Sequence, residues 1–158
     1  MYIKNALIFI LFIFPNTGFS QIKIDDVGDG WKFKVDSALS LIQKTDPENY
    51  TIIITYCKSV EFIISDRSTT KLPSTIAIST GDMKIGSINN IAAILIHESW
   101  HLKINKEKIK MEDDLEELMC YTKEYGFICK LPSVEDWLFK NTINQIIYYQ
   151  SRLREKNK

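Results

Sequence analysis

The sequence predicts a mainly helical α+β domain with a small β-sheet. Apolar residues recur at helical spacing over most of the chain. Two short segments between these helices alternate or are rich in β-branched residues, which is typical of strands. One further segment begins with apolar residues on all sides and continues with polar and ionisable residues. The apolar part indicates a helix at the centre of a domain.

Length and composition exclude several classes of protein. The chain has 158 residues, 45% of them hydrophobic, and its 20 Lys and Arg balance its 20 Asp and Glu. Disordered chains have lower hydrophobicity and higher net charge. A protein that binds nucleic acid through a positive field has an excess of basic residues, so no nucleic-acid partner is expected. This length predicts one domain, which we assign to residues 21–158.

The N-terminal segment Met1–Ser20 has the pattern of a secretory signal peptide. Lys4 is followed by nine apolar residues from Ala6 to Phe14, which Pro15 ends. A membrane-spanning helix needs about 20 apolar residues, so we expect no membrane span after cleavage. The pattern predicts a secreted or periplasmic chain. An uncleaved N-terminal anchor or a buried strand is the alternative.

Two helices are predicted before the first strand. The first extends from Trp31 to Lys44, where apolar residues follow the helical period. Asp46-Pro47-Glu48 then supplies a capping residue, a proline at the first helical position and an acid in the first turn. The β-branched run Thr51–Thr55 favours a strand by propensity, but the cap and the periodicity predict a helix.

The middle of the chain carries the predicted sheet. Alternation predicts a strand over Ser59–Ser65, and a second strand is expected at Ser74–Thr80. The polar segment Asp66–Leu72 between them is predicted to be a loop. Turns are expected at Gly81 and Gly86.

Three more helices are predicted in the second half. Ser87 caps a buried helix over Ile88–Lys103. A basic connector leads to a helix from Met111 to about Cys129. Pro132-Ser133 is expected to begin the last helix, because Ser133 and Asp136 have the spacing of a capping box.

The chemistry-bearing motif lies on the predicted buried helix. His97-Glu98-Ser99-Trp100-His101 fits the pattern H-E-x-x-H, and the chain has no other histidine. Residues four apart project from one helix face, so both imidazoles can reach one Zn²⁺ ion. Glu98 would then act as the base for a water on that metal. The alternatives are two surface histidines beside a helix-end acid, or a structural or vestigial metal site.

A third protein ligand must come from outside the motif. The metzincin extension would need Gly and His where the chain has Ile104 and Glu107, so that class is excluded. We expect a carboxylate from the following helix, and predict Glu117, because Cys120 one turn later is small enough to let the two helices approach. The acids considered are Asp113, Asp114, Glu116, Glu117 and Glu124, with Glu116 and Glu124 as the main alternatives.

These residues resemble the gluzincin group of zinc metallopeptidases, especially its small single-domain members. The resemblance covers Ser59 to about Phe127: two strands, the motif helix, and a helix with Glu117-x-x-Cys120-Tyr121. Family members typically have Ala where this chain has Cys120. The resemblance implies a zincin-like domain with its sheet packed beside the motif helix.

The resemblance also implies roles for individual residues. It makes His97, His101 and Glu117 the zinc ligands and Glu98 the general base. It implies that a strand beside the cleft pairs with an extended substrate, and Ser74–Thr80 is the candidate. Tyr121 would donate a hydrogen bond to the transition state. Tyr125 is the alternative donor, and both tyrosines also suit a core.

The three cysteines leave the redox state open. An odd number allows at most one bridge within the chain, and Cys120 and Cys129 are about 13 Å apart on an unbroken helix, too far to bond. A bridge from Cys57 to either of the others is one expectation. The other expectation is that all three cysteines are buried free thiols.

The predicted function is a secreted zinc metallohydrolase, most simply a metallopeptidase acting on peptides or proteins. A non-catalytic binding domain that keeps the zincin fold is the first alternative. A helical secreted protein without metal is the second.

Overall fold

A computed structural model describes residues 22–25 and 27–156. The predicted signal peptide, Met1–Ser20, lies outside the described residues. The fold is α+β, as predicted. Its elements are β1 (Lys23–Ile24), α1 (Trp31–Thr45), α2 (Pro47–Tyr56), β2 (Ser59–Ile63), β3 (Thr69–Lys71), β4 (Thr75–Ser79), α3 (Thr80–Ile85), α4 (Ile88–Glu107), α5 (Asp113–Ile128) and α6 (Asp136–Lys156).

The four strands form one mixed sheet in the order β1-β2-β4-β3. β2 and β4 run parallel with Val60 opposite Ile76, whereas β3 runs antiparallel to β4 with Thr70 opposite Ile76. Strand β4 is the most buried, which agrees with its run of apolar residues. Both predicted strands are therefore confirmed.

The position of β4 corrects one expectation. Because β4 lies between β2 and β3, both of its edges are already hydrogen bonded within the sheet. Ser74–Thr80 therefore has no edge with which to pair a substrate, and the prediction of that role is wrong. The edge strand next to β4 is β3, within Asp66–Leu72, which was predicted to be a loop.

Helix α4 forms the centre of the domain. As the sequence predicts, residues 91–96 are buried apart from the half-buried Ile94, and the helix packs against α1, α2, α5 and the sheet. Ser87 caps its start by accepting a hydrogen bond from the backbone N–H of Asn90 at 3.1 Å. The helix continues to Glu107, four residues beyond its predicted end at Lys103.

Two local predictions are wrong in their details. The segment after β4 is not a turn but helix α3, whose start is capped by Ser79, with its hydroxyl accepting from the N–H of Gly81 at 3.1 Å. The last helix begins at Asp136 rather than at Ser133. Helix α6 packs along α5. None of the helices in the described ranges is long and apolar enough to cross a membrane.

All three cysteines are free thiols. Cys57 and Cys120 are buried, and burial raises the pKa of Cys57 to about 11. Cys129 is exposed. The predicted bridge from Cys57 is therefore absent, and the alternative of three buried thiols is wrong for Cys129.

A buried polar chain ties α4 to α2 and α5. The indole N–H of Trp100 donates to Asn49 Oδ1 at 2.8 Å, and the Asn49 amide donates to Asp46 Oδ2 at 2.9 Å. Lys130 pairs with the same Asp46 oxygen at 2.9 Å. Two ammonium groups, those of Lys103 and Lys123, each lie 4.4 Å from the centroid of the Trp100 ring.

We expect Trp100→Phe to lower the free energy of unfolding by about 1–3 kcal/mol, because it leaves the buried Asn49 Oδ1 without its donor. Urea denaturation measures this change. Trp137→Phe is the matched control: Trp137 is 51% exposed, so its substitution should change stability by no more than about 0.5 kcal/mol. Equal effects of the two substitutions would contradict the role assigned to this chain of polar groups.

Candidate metal centre

Helix α4 presents its two histidines side by side to a cleft of about 580 Å³. Their spacing of four residues places them one turn apart on one face. His97 Nε2 lies 3.2 Å from His101 Nε2, so the two ring nitrogens face the same point. His97 is 7% exposed, and His101 is half-buried. The alternative of two surface histidines therefore does not describe this pair.

Helix α5 brings Glu117 to the same point. One Glu117 oxygen lies 3.5 Å from His97 Nε2, and the other lies 3.6 Å from His101 Nε2. Ligand atoms in a tetrahedral zinc site with bonds of about 2.0–2.1 Å are about 3.3–3.4 Å apart. One donor atom from each of the three residues lies within 4.8 Å of the others, so the group could hold a metal ion.

The other acids of α5 lie elsewhere around the pair. Glu116 contacts Nδ1 of His101 at 2.6 Å, and Glu124 lies 3.3 Å from Nδ1 of His97. Asp114 is buried and forms ion pairs with Arg152 at 3.2 Å and Lys156 at 2.5 Å. Asp113 is exposed at the rim of the cleft. Glu117 is thus the acid that meets both Nε2 atoms, whereas Glu116 and Glu124 face the opposite ring nitrogens.

Carboxylates on the Nδ1 side are the usual partners of metal-binding histidines, because they hold the ring and its tautomer in place. Glu116 makes such a contact with His101. The contact of Glu124 with His97 is not aligned as a hydrogen bond, and His97 Nδ1 has no hydrogen-bond partner among the described residues. Glu124 is itself held by the Thr142 hydroxyl of α6, which donates to Glu124 Oε1 at 2.5 Å.

The pKa values of His97 and Glu117 depend on each other's charge. Burial by itself lowers the pKa of His97, but the carboxylates of Glu117 and Glu124 outweigh it and raise the pKa to about 9. Burial acts to raise the pKa of Glu117, whereas His97, His101 and Arg67 act in the opposite direction and leave it below its usual value. A cation bound by these residues must displace the proton of His97, so binding is expected to release protons.

Glu98 lies beside the histidine pair on the wall of the cleft. It is 8% exposed, and burial raises its pKa, although the two imidazoles act to lower it. A carboxylate with a raised pKa in a cleft is suited to accept and return protons. Glu98 therefore lines the same cleft as the two histidines, and its role as a base stays a prediction.

The two candidate tyrosines lie in different places. The rings of Tyr121 and His97 form a T-shaped pair with 4.3 Å between their centroids, and Tyr121 lines the cleft. It also stacks on Tyr149 of α6 at 5.8 Å. Tyr125 packs instead against Phe139 and is not among the residues that line the cleft. Tyr121 is therefore the better-placed phenol of the two.

The walls of the cleft include residues that sequence reasoning missed. The β2–β3 segment contributes Arg67, Thr69 and Thr70, and α6 contributes Trp137 and Tyr149. No local motif marks these positions, because they come from segments distant from the histidines in sequence. Their place is set by the packing of β3 on α4 and of α6 on α5.

We expect Glu116→Gln to weaken metal affinity about 10–100-fold, because the neutral amide no longer holds His101 as a carboxylate does. Competition with a chromophoric chelator measures the affinity. Asp113→Asn, in the same turn of α5 but exposed, should leave the affinity unchanged. An equal loss in both variants would show that general negative charge, and not the contact with His101, is responsible.

Comparison of the chain with protein-family models, with curated proteins and with solved structures finds no match. The fold class therefore stands as α+β with a small mixed sheet. Any more specific assignment has to come from the cleft itself.

Proposed function

We propose that the protein is a zinc metallohydrolase with a zincin-like fold of the gluzincin type, acting on peptides outside the cytoplasm. One observation carries the proposal: both Nε2 atoms and the Glu117 carboxylate face one point, while a carboxylate lies against each Nδ1 atom. The predicted signal segment supports the location.

The donor set supports zinc. Two imidazole nitrogens and one carboxylate oxygen are a common set for catalytic zinc, which keeps a fourth position for water or substrate. When bound, the zinc would polarise a substrate carbonyl and make water a better nucleophile. His97, His101 and Glu117 would hold the ion.

The remaining side chains supply proton transfer and charge stabilisation. Glu98 would accept the proton of the attacking water and deliver it to the leaving amine. Burial raises the pKa of Tyr121 well above its usual value, so its phenol stays neutral and can donate a hydrogen bond to developing negative charge.

The exposed sheet edge suggests how a substrate is held. Strand β3 lies at the edge, and Thr69 and Thr70 line the cleft. An extended peptide could pair with β3 by adding a strand to the sheet. This role replaces the one predicted for Ser74–Thr80.

The direct test is metal content and hydrolysis. The purified protein should contain one zinc per chain and should cleave unstructured peptides in a chelator-sensitive manner. Absence of stoichiometric zinc after zinc-saturated purification would overturn the proposal.

One observation favours a second candidate, a binding domain that keeps the zincin frame without catalysis. Glu98 is nearly buried, and burial raises its pKa, so the charged form that a general base needs is disfavoured there. Zinc binding without hydrolysis of any peptide in a diverse library would support this candidate.

A further inference from the structure

Helix α6 reaches the metal centre through one buried side chain, that of Thr142. Its hydroxyl oxygen lies 2.5 Å from Oε1 of Glu124 and 3.0 Å from the carbonyl oxygen of Leu138. A hydroxyl has one proton to donate, and a carboxylate is a stronger acceptor than a carbonyl. We therefore assign the proton to the shorter contact, whose length is typical of an O–H group that donates to a charged carboxylate.

The Glu124 carboxylate depends on this hydroxyl. Glu124 is buried, and across residues 22–25 and 27–156 no Lys or Arg forms an ion pair with it. Within the same ranges, the hydroxyl of Thr142 is the one hydrogen-bond donor to its carboxylate. Because Thr142 holds Oε1, the other oxygen, Oε2, is the one that faces Nδ1 of His97, at 3.3 Å.

The Nδ1 atom of His97 needs such an oxygen. It is buried and has no hydrogen-bond partner in the described part of the chain. A neutral imidazole that binds a metal through Nε2 carries its proton on Nδ1, and a buried N–H group is normally paired with an acceptor. Oε2 of Glu124 is already close enough that a small rotation of either side chain aligns the bond.

We propose that Thr142 is a positioning residue of the metal centre, which fixes the Glu124 carboxylate so that its Oε2 atom accepts the Nδ1 proton of His97. The inference rests on the proposed function, because it takes Nε2 of His97 as a metal ligand. It goes further by giving α6, which supplies no ligand of the His97–His101–Glu117 group, a part in metal affinity. Partners behind a metal-binding histidine act by holding the ring and its tautomer.

A second contact of α6 keeps the Thr142 hydroxyl in place. Thr142 and Tyr149 are seven residues apart and therefore share one face of the helix. Tyr149 stacks on Tyr121, which itself packs against the ring of His97. Helix α6 thus meets the surroundings of His97 at two points, two turns apart, and both contacts fix its register against α5.

Zinc affinity, measured by competition with a zinc-binding dye, tests the inference. Thr142→Val keeps the shape of the side chain but removes the hydroxyl, and we expect it to weaken zinc binding about tenfold. Thr142→Ser keeps the hydroxyl and should bind zinc as the wild type does. Thr122→Val is the matched control: Thr122 is exposed on α5, and its hydroxyl also donates to the carbonyl four residues earlier. This variant should leave the affinity unchanged.

A double variant separates positioning from a merely structural role. In a Glu124→Met background no carboxylate is left to position, so adding Thr142→Val should weaken zinc binding no further. Methionine is similar in length to glutamate and adapts to buried sites, so both variants are expected to fold, which circular dichroism at the titration temperature verifies.

Three outcomes would overturn the inference while the proposed function stands. They are an unchanged affinity in Thr142→Val, an equal loss in Thr142→Ser, and an equal further loss when Thr142→Val is added to Glu124→Met. A wild-type protein that binds no zinc would overturn the proposed function, and this inference with it.

Discussion

Replacing Glu98 with glutamine is expected to lower kcat for peptide hydrolysis by about 10²–10⁴-fold, because general base catalysis contributes an effect of that size. Glutamine has nearly the same shape but cannot accept the proton. Glu98 is not in the His97–His101–Glu117 group, so bound zinc should remain stoichiometric. Steady-state kinetics and metal analysis of the same preparation measure both quantities.

Folding provides a second readout for Glu98→Gln. The substitution removes a nearly buried carboxylate whose charged form is disfavoured by burial, so we expect the free energy of unfolding to stay equal or to rise. Glu155→Gln, at an exposed position on α6, is the matched control and should change neither kcat nor stability. Full activity in Glu98→Gln would exclude Glu98 as the base and favour the binding-domain candidate.

The sequence best predicts the elements whose signals lie within the element itself. Helix α2 forms although Thr51–Thr55 is β-branched, because Asp46 accepts from the N–H of Asn49 at 3.4 Å and Pro47 begins the helix. Strand β3 has only three residues, and it exists because it pairs with β4. Such a segment carries no periodicity of its own, so it could not be separated from a loop.

The residues of the candidate site also divide into those that local signals predict and those that depend on packing. The spacing of His97 and His101 is a property of one helix, and the sequence is sufficient to pair them. Glu116, Glu117 and Glu124 all belong to α5 and all lie near the histidines. They differ in which ring nitrogen they face, and this depends on how α5 rotates and packs against α4. Sequence reasoning could rank these acids but could not assign the contacts.

Residues from distant segments form the rest of the cleft, and no local sequence pattern marks them. Asp82 and Asn90 both line the cleft, one on α3 and the other on α4. The sequence predicts a turn at Gly86, and this residue does lie in the short connection between α3 and α4. It does not predict that residues on both sides of this turn would line the cleft.

Removing the metal is expected to produce the second large effect, on stability. A ligand that binds only the folded state adds about 4.1 kcal/mol when its free concentration is 1,000 times Kd. For a domain of this size we expect the chelated protein to melt roughly 10 °C or more below the zinc-loaded protein. Thermal denaturation followed by circular dichroism, with and without a chelator, measures the shift.

The local charges lead us to expect a metal-free state that is weakened but still folded. Without a cation, the carboxylates of Glu98, Glu117 and Glu124 all act on His97, and Glu98 and Glu124 are nearly buried. The raised pKa of His97, about 9, means that its ring is protonated at neutral pH in the metal-free chain. That proton offsets part of the repulsion, so we expect a lower melting temperature with a retained cooperative transition.

The matched variant is His101→Ala, which removes the half-buried ligand and leaves His97 in the core. Because it cannot assemble the three-residue group, its melting temperature should be the same with and without chelator. Glu155→Gln should respond to the chelator as the wild type does. A wild-type melting temperature that does not change on chelation would mean that no metal stabilises the fold, and the buried acids would then have to be neutralised by protons alone.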